Sequence, residues 1–477
     1  MVALNGSSQI TQGVYVTIFR LNQGPNAAKP ARIHSQTLRV DGDKSISHRA
    51  VMLASIAQGD SEITGFLHGE DTRHTALILR QLGVQIREVD ARTLHVTGVG
   101  LHGLKGASQA LDCGNAGTGM RLLAGLLAGQ KFTSTLIGDA SLSARPMRRV
   151  LAPLRLMQAD IQGTASDTAP LTIRPIGKKL IAIDYASPVA SAQVKSCVLL
   201  AGLYADQVSS VTEPEATRDH TERMLRSFGG QVSVQGLRVQ VQPEPSLRGC
   251  HVQVPADPSS AAFFAAAAAI VPDAELLLSD VCINPRRTGI FDTLRDMGAQ
   301  ITYENLRELG GPGGEPLANI RVRGAALKGV VVPSARVADM IDEFPIFLIA
   351  AACASGASVV AGAAELRVKE SDRIAAMVAG LRILGVDCEE SPDGVTVQGL
   401  GNADGDRCLG TAGLSVEINA KGDHRIAMSF AIASLRARSA INILDCANVA
   451  TSFPSFAALA VAAGIDLTLS PSLGAAA

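Results

Sequence analysis

Leu82-Gly83-Val84-Gln85-Ile86 is the stretch on which the fold turns. An amphipathic helical pattern runs into Leu82, a glycine follows, and a short strand-like run begins. Such a glycine is what a left-handed helix C-cap requires before the chain turns into a strand. The signature recurs as Phe228-Gly229-Gly230-Gln231-Val232, Met297-Gly298-Ala299-Gln300-Ile301, Leu384-Gly385-Val386-Asp387-Cys388 and Ala463-Gly464-Ile465-Asp466-Leu467. A degenerate copy, Met157-Gln158-Ala159-Asp160-Ile161, fills the one long gap. Intervals of roughly 70 to 85 residues are too long for a solenoid repeat. They predict six copies of one α/β unit, each with about two helices and three or four strands. Since 477 residues exceed one ordinary core, two domains of three units are the natural grouping.

Composition narrows the functional classes. The net charge of −1 argues against a general nucleic-acid or membrane-surface partner, so any basic site must be local. The longest apolar run, around Ala261 to Val271, is too short to span a bilayer. Eight cysteines without a CxxC pair suggest neither a zinc site nor a disulfide framework, and a reducing cytosol fits best. The first 40 residues carry Arg20, Lys29, Arg32 and Arg39 but no acid. They lack the amphipathic pattern of a transit peptide, and residues 1–35 read as a flexible extension.

The polar clusters fall where helices begin. In Gly42-Asp43-Lys44-Ser45-Ile46-Ser47-His48-Arg49, helical periodicity starts near Lys44. A lysine there opposes the helix dipole unless an anion binds beside it. Further clusters are Asn115 to Gly119, Arg145-Pro146, Ser191 to Lys195, Thr217 to His220, Asp257 to Ser260, Lys369 to Arg373 and Asp423 to Arg425. Their Ser, Asp and Asn residues are good N-caps, and for any one cluster capping suffices. Capping does not explain Lys44, Arg49, Arg145, Lys195, Arg218, Lys369, Arg373 and Arg425, all cations near the wrong end. They point to a shared ligand with several negative charges, held between the two domains. No GxxxxGK[ST], HExxH or GxSxG motif occurs, and the glycines at 114, 117 and 119 have the wrong spacing for a dinucleotide fingerprint.

At the level of motifs the chain resembles the 5-enolpyruvylshikimate-3-phosphate synthases. The resemblance runs from about Gln36 to the C-terminus. It rests on GDKSISHR, GNAGTG, ARPM, SAQVK, TRDHTE, DPSSAAF, MIDEFPI, RVKESDR and GDHRIAMSF, in family order. SAQVK and RDHTE resemble the class II subgroup, which includes glyphosate-tolerant bacterial enzymes. The resemblance implies a two-domain inside-out α/β barrel of six βαβαββ units, the enolpyruvyl transferase fold. Residues 36–42 with 258–477 would form one discontinuous domain and 43–257 the other. The implied reaction moves the enolpyruvyl group of phosphoenolpyruvate to the 5-hydroxyl of shikimate 3-phosphate and releases phosphate. It implies a cytoplasmic monomer with no cofactor and no metal, inhibited by glyphosate.

The resemblance also implies roles. Lys44, Ser45 and Arg49 would bind shikimate 3-phosphate, with Lys44 reaching phosphoenolpyruvate and sharing in catalysis. Ser191, Ala192, Gln193, Arg218, Asp342 and Lys369 would complete the first substrate's site. Asn115, Gly117, Arg145 and Gln193 would hold phosphoenolpyruvate, with Arg373 and Arg425 clamping its carboxylate. Asp342 would be the general base, and Glu370 would serve proton transfer at the methylene carbon. Two departures from the family stand out. Arg286 occupies a position where the subgroup often has Thr, and receives no site role. Thr451 replaces a lysine common in class I, so its phosphate contact is missing or supplied by another group such as Lys195. Two alternatives remain: a UDP-N-acetylglucosamine enolpyruvyl transferase, or a non-catalytic anion-binding protein on the same scaffold.

Overall fold

The computed structural model describes residues 16–21, 33, 36–310, 314–401 and 408–472. The six cap positions behave alike. Gly83, Gly229, Gly298, Gly385 and Gly464 have φ of 90°, 89°, 109°, 76° and 95°. Gln158, in the degenerate copy, holds the same left-handed conformation with φ of 61°. After each, the next amide donates back to the last helical turn, as Val84 does to Leu79 O at 3.1 Å and Ala159 to Leu154 O at 3.0 Å. Five copies add a side-chain clasp that no local pattern predicts. An arginine three residues before the cap donates to the strand carbonyl three residues after it: Arg80 to Ile86, Arg155 to Ile161, Arg226 to Val232, Arg295 to Ile301 and Arg382 to Cys388.

One unit shows the plan. Strand Leu111–Asp112 runs parallel to Ser134–Ile137, and the hairpin Asp160–Gln162 with Leu171–Arg174 continues the sheet antiparallel. The six first helices are α1 (Lys44–Ile56), α2 (Gly117–Leu127), α3 (Ala192–Gly202), α4 (Pro258–Ile270), α5 (Phe344–Cys353) and α6 (His424–Ala433). They form the interior and the sheets form the outside. All thirteen residues of α4 and all ten of α5 are buried. Small residues make that possible: a Cβ on Gly125 of α2 would lie 2.2 Å from Cys197 O of α3.

Three sheets use only residues 58–253, and three use only residues 16–38 and 275–472. The apolar core divides in the same way, apart from two residues at the crossing: Cys282 packs with the first group and Ala256 with the second. We call these the 43–257 lobe and the second lobe. The chain passes between them twice, side by side: Asp43 N donates to Pro255 O at 2.8 Å and Asp257 N to Asp41 O at 2.9 Å. The crossing is cramped, since a Cβ on Gly42 would lie 1.9 Å from Gly65 O.

The expectation of a flexible extension over 1–35 needs correction. Residues 1–15, 22–32 and 34–35 lie outside the described residues, but Val16–Leu21 is a strand. It inserts between Ala440–Leu444 and Leu467–Ser472, pairing Phe19 with Ile443 and with Leu469. It thereby supplies the final strand of the sixth unit. Phe19 and Leu21 are buried, with the Phe19 ring 6.1 Å from that of Phe456. Apolar burial plus two ladders of backbone bonds holds this strand to the second lobe.

Candidate active site

Since each unit turns its two helices the same way, their N-terminal ends from all six units meet in the cleft between lobes. A cavity of about 350 Å³ lies there. The first helices contribute Lys44 and Ser45, Gly117 and Thr118, Ser191 to Gln193, Ser259 and Ser260, Asp342, and His424 with Arg425. The second helices contribute Asp71, Arg145, Arg218, Arg287, Lys369, Glu370, Arg373 and Ser452 at or just before their starts. Asn115 also lines the cavity. The cleft therefore gathers every expected site residue except Arg49.

Its centre is a ring of cations around two carboxylates. Arg218 donates to Asp342 at 2.6 Å, Arg373 at 3.3 Å, and Lys369 lies 3.5 Å away. Arg425 donates to the Asp342 carbonyl at 3.0 Å. Burial alone would raise the Asp342 pKa, but Lys369, Arg218, Arg425 and Arg373 outweigh it and hold the carboxyl well below its ordinary value. Glu370 accepts from Arg373 at 2.5 Å and lies 3.8 Å from Arg145. It too is held well below the usual range: burial opposes ionisation, and the cations Arg373, Arg145 and Lys44 overcome it. Arg373 itself is buried and also donates to Asp423 at 2.8 Å. The guanidinium is thus aimed by three carboxylates, which fixes its plane.

On the 43–257 side, Lys44 Nζ meets Asp71 at 2.6 Å. Arg145 donates to Asn115 Oδ1 at 2.5 Å. Gln193 accepts from Arg121 at 2.9 Å and donates to Thr118 at 2.9 Å, so it is oriented from both ends. Sequence reasoning overlooked Arg121 and Asp71. Burial, reinforced by Arg145 and Arg149, lowers the Arg121 pKa to about 10, and it remains a cation at neutral pH. His424, also overlooked, is driven far below its ordinary value by burial and by Lys44 and Arg425, and is neutral.

Two of the cations do not line the cavity. Arg49 lies behind the cavity wall, donating to Thr221 at 2.7 Å, Ser196 at 2.8 Å and Ser45 O at 2.9 Å. It braces the turn that carries Ser45 instead of facing the cleft. Lys195 cannot replace the missing contact at Thr451, because it is buried against Glu213 at 2.7 Å and Glu222 at 2.8 Å. Arg286, given no role, stays outside the lining and pairs with Asp339 at 3.4 Å. Its neighbour Arg287 ties the crossovers together, bonding Asp43 at 2.8 Å and Asp257 at 2.9 Å. Asp219, His220 and Glu315 lie close enough to hold a metal. Their polar atoms are engaged: His220 with Glu315 at 2.7 Å, and Asn284 donating to Asp219 and Glu315.

Two α/β lobes with helix N-termini converging on a polyanion-sized cleft define the enolpyruvyl transferase fold. The NikO enolpyruvyl transferase from Streptomyces tendae has it, with a TM-score of 0.73 over 96% of this chain and 100% of that one at 15% identity. Closer likenesses carry more. The EPSP synthase (3-phosphoshikimate 1-carboxyvinyltransferase) family model matches residues 28–459. A 3-phosphoshikimate 1-carboxyvinyltransferase of Xanthomonas euvesicatoria pv. vesicatoria is 55% identical over 90% of this chain and 94% of its own. One from Methylococcus capsulatus is 54% identical over 91% and 96%. An EPSP synthase structure from Acinetobacter baumannii has a TM-score of 0.83 and 47% identity, covering 95% of this chain and 100% of that one. The chain belongs to the EPSP synthase family.

Proposed function

We propose that this cleft transfers the enolpyruvyl group of phosphoenolpyruvate to the 5-hydroxyl of shikimate 3-phosphate, in the pathway towards chorismate and the aromatic amino acids. The observation that carries the residue assignments is the meeting of Asp342 and Glu370 with cations from both lobes in one cavity. The substrates are polyanions that repel one another, and the cationic ring with its helix ends supplies the opposing field. Lys44 and Ser45 with Ser191, Ala192, Gln193, Arg218 and Lys369 bind shikimate 3-phosphate. Asn115, Gly117, Arg145 and Gln193 hold the phosphate end of phosphoenolpyruvate, joined by Arg121, and Arg373 with Arg425 holds its carboxylate.

In this account Asp342 takes the hydroxyl proton as the oxygen attacks C2, and C3 takes a proton that Lys44 supplies by way of the Glu370 carboxylate. A ketal phosphate forms; phosphate then leaves C2 while the C3 methyl group gives up a proton to the Glu370 carboxylate, and the enol ether results. An Asp342 held far below its ordinary pKa is a weak base. Anionic substrates set among the same cations compete for their field, and so raise its basicity when it is needed. The decisive experiment is phosphate release from phosphoenolpyruvate that requires shikimate 3-phosphate. Turnover with UDP-N-acetylglucosamine instead would overturn the assignment; Ser45 directly after Lys44 argues against it, since that enzyme typically has Asn there. The finer points belong to the same proposal: a cytoplasmic monomer, with glyphosate competing at the phosphoenolpyruvate site. Among the described residues no helix is long and apolar enough to cross a membrane.

A further inference from the structure

Three arginines of the 43–257 lobe form ion pairs across the mouth and chamber of the cleft. Arg218 meets Asp342 at 2.6 Å, Arg145 lies 3.8 Å from Glu370, and Arg149 meets Glu365 at 2.8 Å. The first two join groups that take part in the proposed reaction. Their side chains are 11 to 22% exposed, whereas Arg149 and Glu365 are 36% and 39% exposed and stand at the mouth.

The position of this outer pair is specific. Arg149 is the second residue of the helix Arg148–Leu156, whose approach carries Arg145. Glu365 is in the single turn Ala364–Val368, which leads directly into Lys369 and Glu370. One guanidinium nitrogen, Nη1, donates to both carboxylate oxygens at 2.8 Å. Within its own lobe Arg149 faces only opposition. It sits at a helix N-terminus and its charge acts against that of Arg121. The favourable partner comes from the other lobe.

We propose that Arg149 and Glu365 are positioning residues that latch the cleft at its mouth and hold the segment bearing Lys369 and Glu370 against Arg145. The proposal rests on the enolpyruvyl-transfer reading, and neither side chain touches a reacting atom in that scheme. An exposed ion pair contributes little to a rigid protein, but in a hinged one that small energy falls entirely on the ratio of closed to open forms.

The test uses Arg149→Gln, Glu365→Gln and the charge exchange Arg149→Glu with Glu365→Arg in the full chain. Each single variant should raise KM for both substrates together, by about two- to fivefold, with kcat changed less. The exchange should recover most of that loss, and added salt should erase the wild-type advantage. If Arg149 were instead a direct ligand of a substrate anion, Arg149→Gln would raise KM while Glu365→Gln lowered it or left it unchanged. The exchange would then rescue nothing; that pattern overturns the latch. Small-angle scattering with shikimate 3-phosphate gives a readout independent of turnover. Both single variants should show a larger radius of gyration than wild type. Equal radii would overturn the latch even for a protein that proved to lack the proposed activity.

Discussion

A methyl group added at Gly117 would lie 2.9 Å from Nη1 of Arg121, 3.1 Å from Nη1 of Arg145 and 3.7 Å from Cδ1 of Leu142. Ordinary contact begins near 3.4 Å, so Arg121 must retreat by about 0.5 Å and Arg145 by about 0.3 Å. The retreat is possible, because both contacts are to the ends of flexible side chains. It is not free. The displaced atom of Arg121 is the one that donates to Gln193 at 2.9 Å, and a shift of that size takes this charge-assisted bond beyond its good range. Partial loss of such a bond costs about 1 kcal/mol, which is about fivefold in affinity. Gly117→Ala should therefore raise KM for phosphoenolpyruvate by about that factor. Glyphosate is longer than phosphoenolpyruvate and needs the space that the methyl fills. Its inhibition constant should rise well over tenfold, more than about 1.4 kcal/mol. The assay is phosphate release at saturating shikimate 3-phosphate, with both constants taken from the same enzyme. Folding gives the control: alanine suits a helix better than glycine, so the melting temperature should not fall. Equal rises in the two constants would refute the steric argument. No rise in either would show that Gly117 does not border the phosphoenolpyruvate site.

Asp342→Ala should lower kcat by on the order of a hundredfold or more, as for a lost general base, with smaller effects on KM; near-normal turnover would remove Asp342 from that role. The stability profile in acid has a definite sign. Asp342 and Glu370 have folded pKa values well below 3.8 and 4.5, so their stabilisation is fully present above those unfolded values and is lost as pH falls through the folded ones. Urea unfolding from pH 7 to 3 should show the contribution of both groups unchanged until pH falls below about 4.5, and Asp342→Asn should flatten the acid limb. Phe19→Ala should cost about 3 to 5 kcal/mol, because it empties a buried site in the sixth unit. A loss under 1 kcal/mol by chemical denaturation would mean that the Val16–Leu21 strand holds only loosely.

How much of this was legible depended on whether the cause was local. The cap signature was, because a left-handed residue after a helix has a narrow chemistry, and even Gln158 could be assigned by its place in the series. Val16–Leu21 was not. Its apolar alternation is short, and its partners lie more than 400 residues away, as in Phe19 with Ile443. In the site, the cations announced themselves because they oppose helix dipoles. Asp71 did not, since an acid in the first turn, beside Glu70, already has an ordinary dipole explanation. The Arg80-type clasp escaped because an arginine near a helix C-terminus is equally unremarkable.

The two misplaced cations share one geometric cause. Lys44 and Arg373 are the first residues of their helices, Arg425 is the second, and Arg145, Arg218 and Lys369 precede theirs. All six face the cleft. Lys195 is the fourth residue of α3 and Arg49 the sixth of α1, and by then the helix surface has turned towards neighbouring helices. Charges placed there must be matched internally. Lys195 is paired with Glu213 and Glu222, while Arg49 is surrounded by hydroxyls and a carbonyl. Arg121 is the exception, being fifth in α2 and still lining the cleft. The exception follows from the glycine that starts that helix. Helical side chains lean towards the N-terminus, and Gly117 leaves open the path that Arg121 takes back to the cleft, which is why its Nη1 lies 2.9 Å from the missing Cβ. The glycine thus does more than leave room for a ligand. It admits a cation from one turn deeper, so a side chain at Gly117 acts on the ligand and on the charge that holds it together.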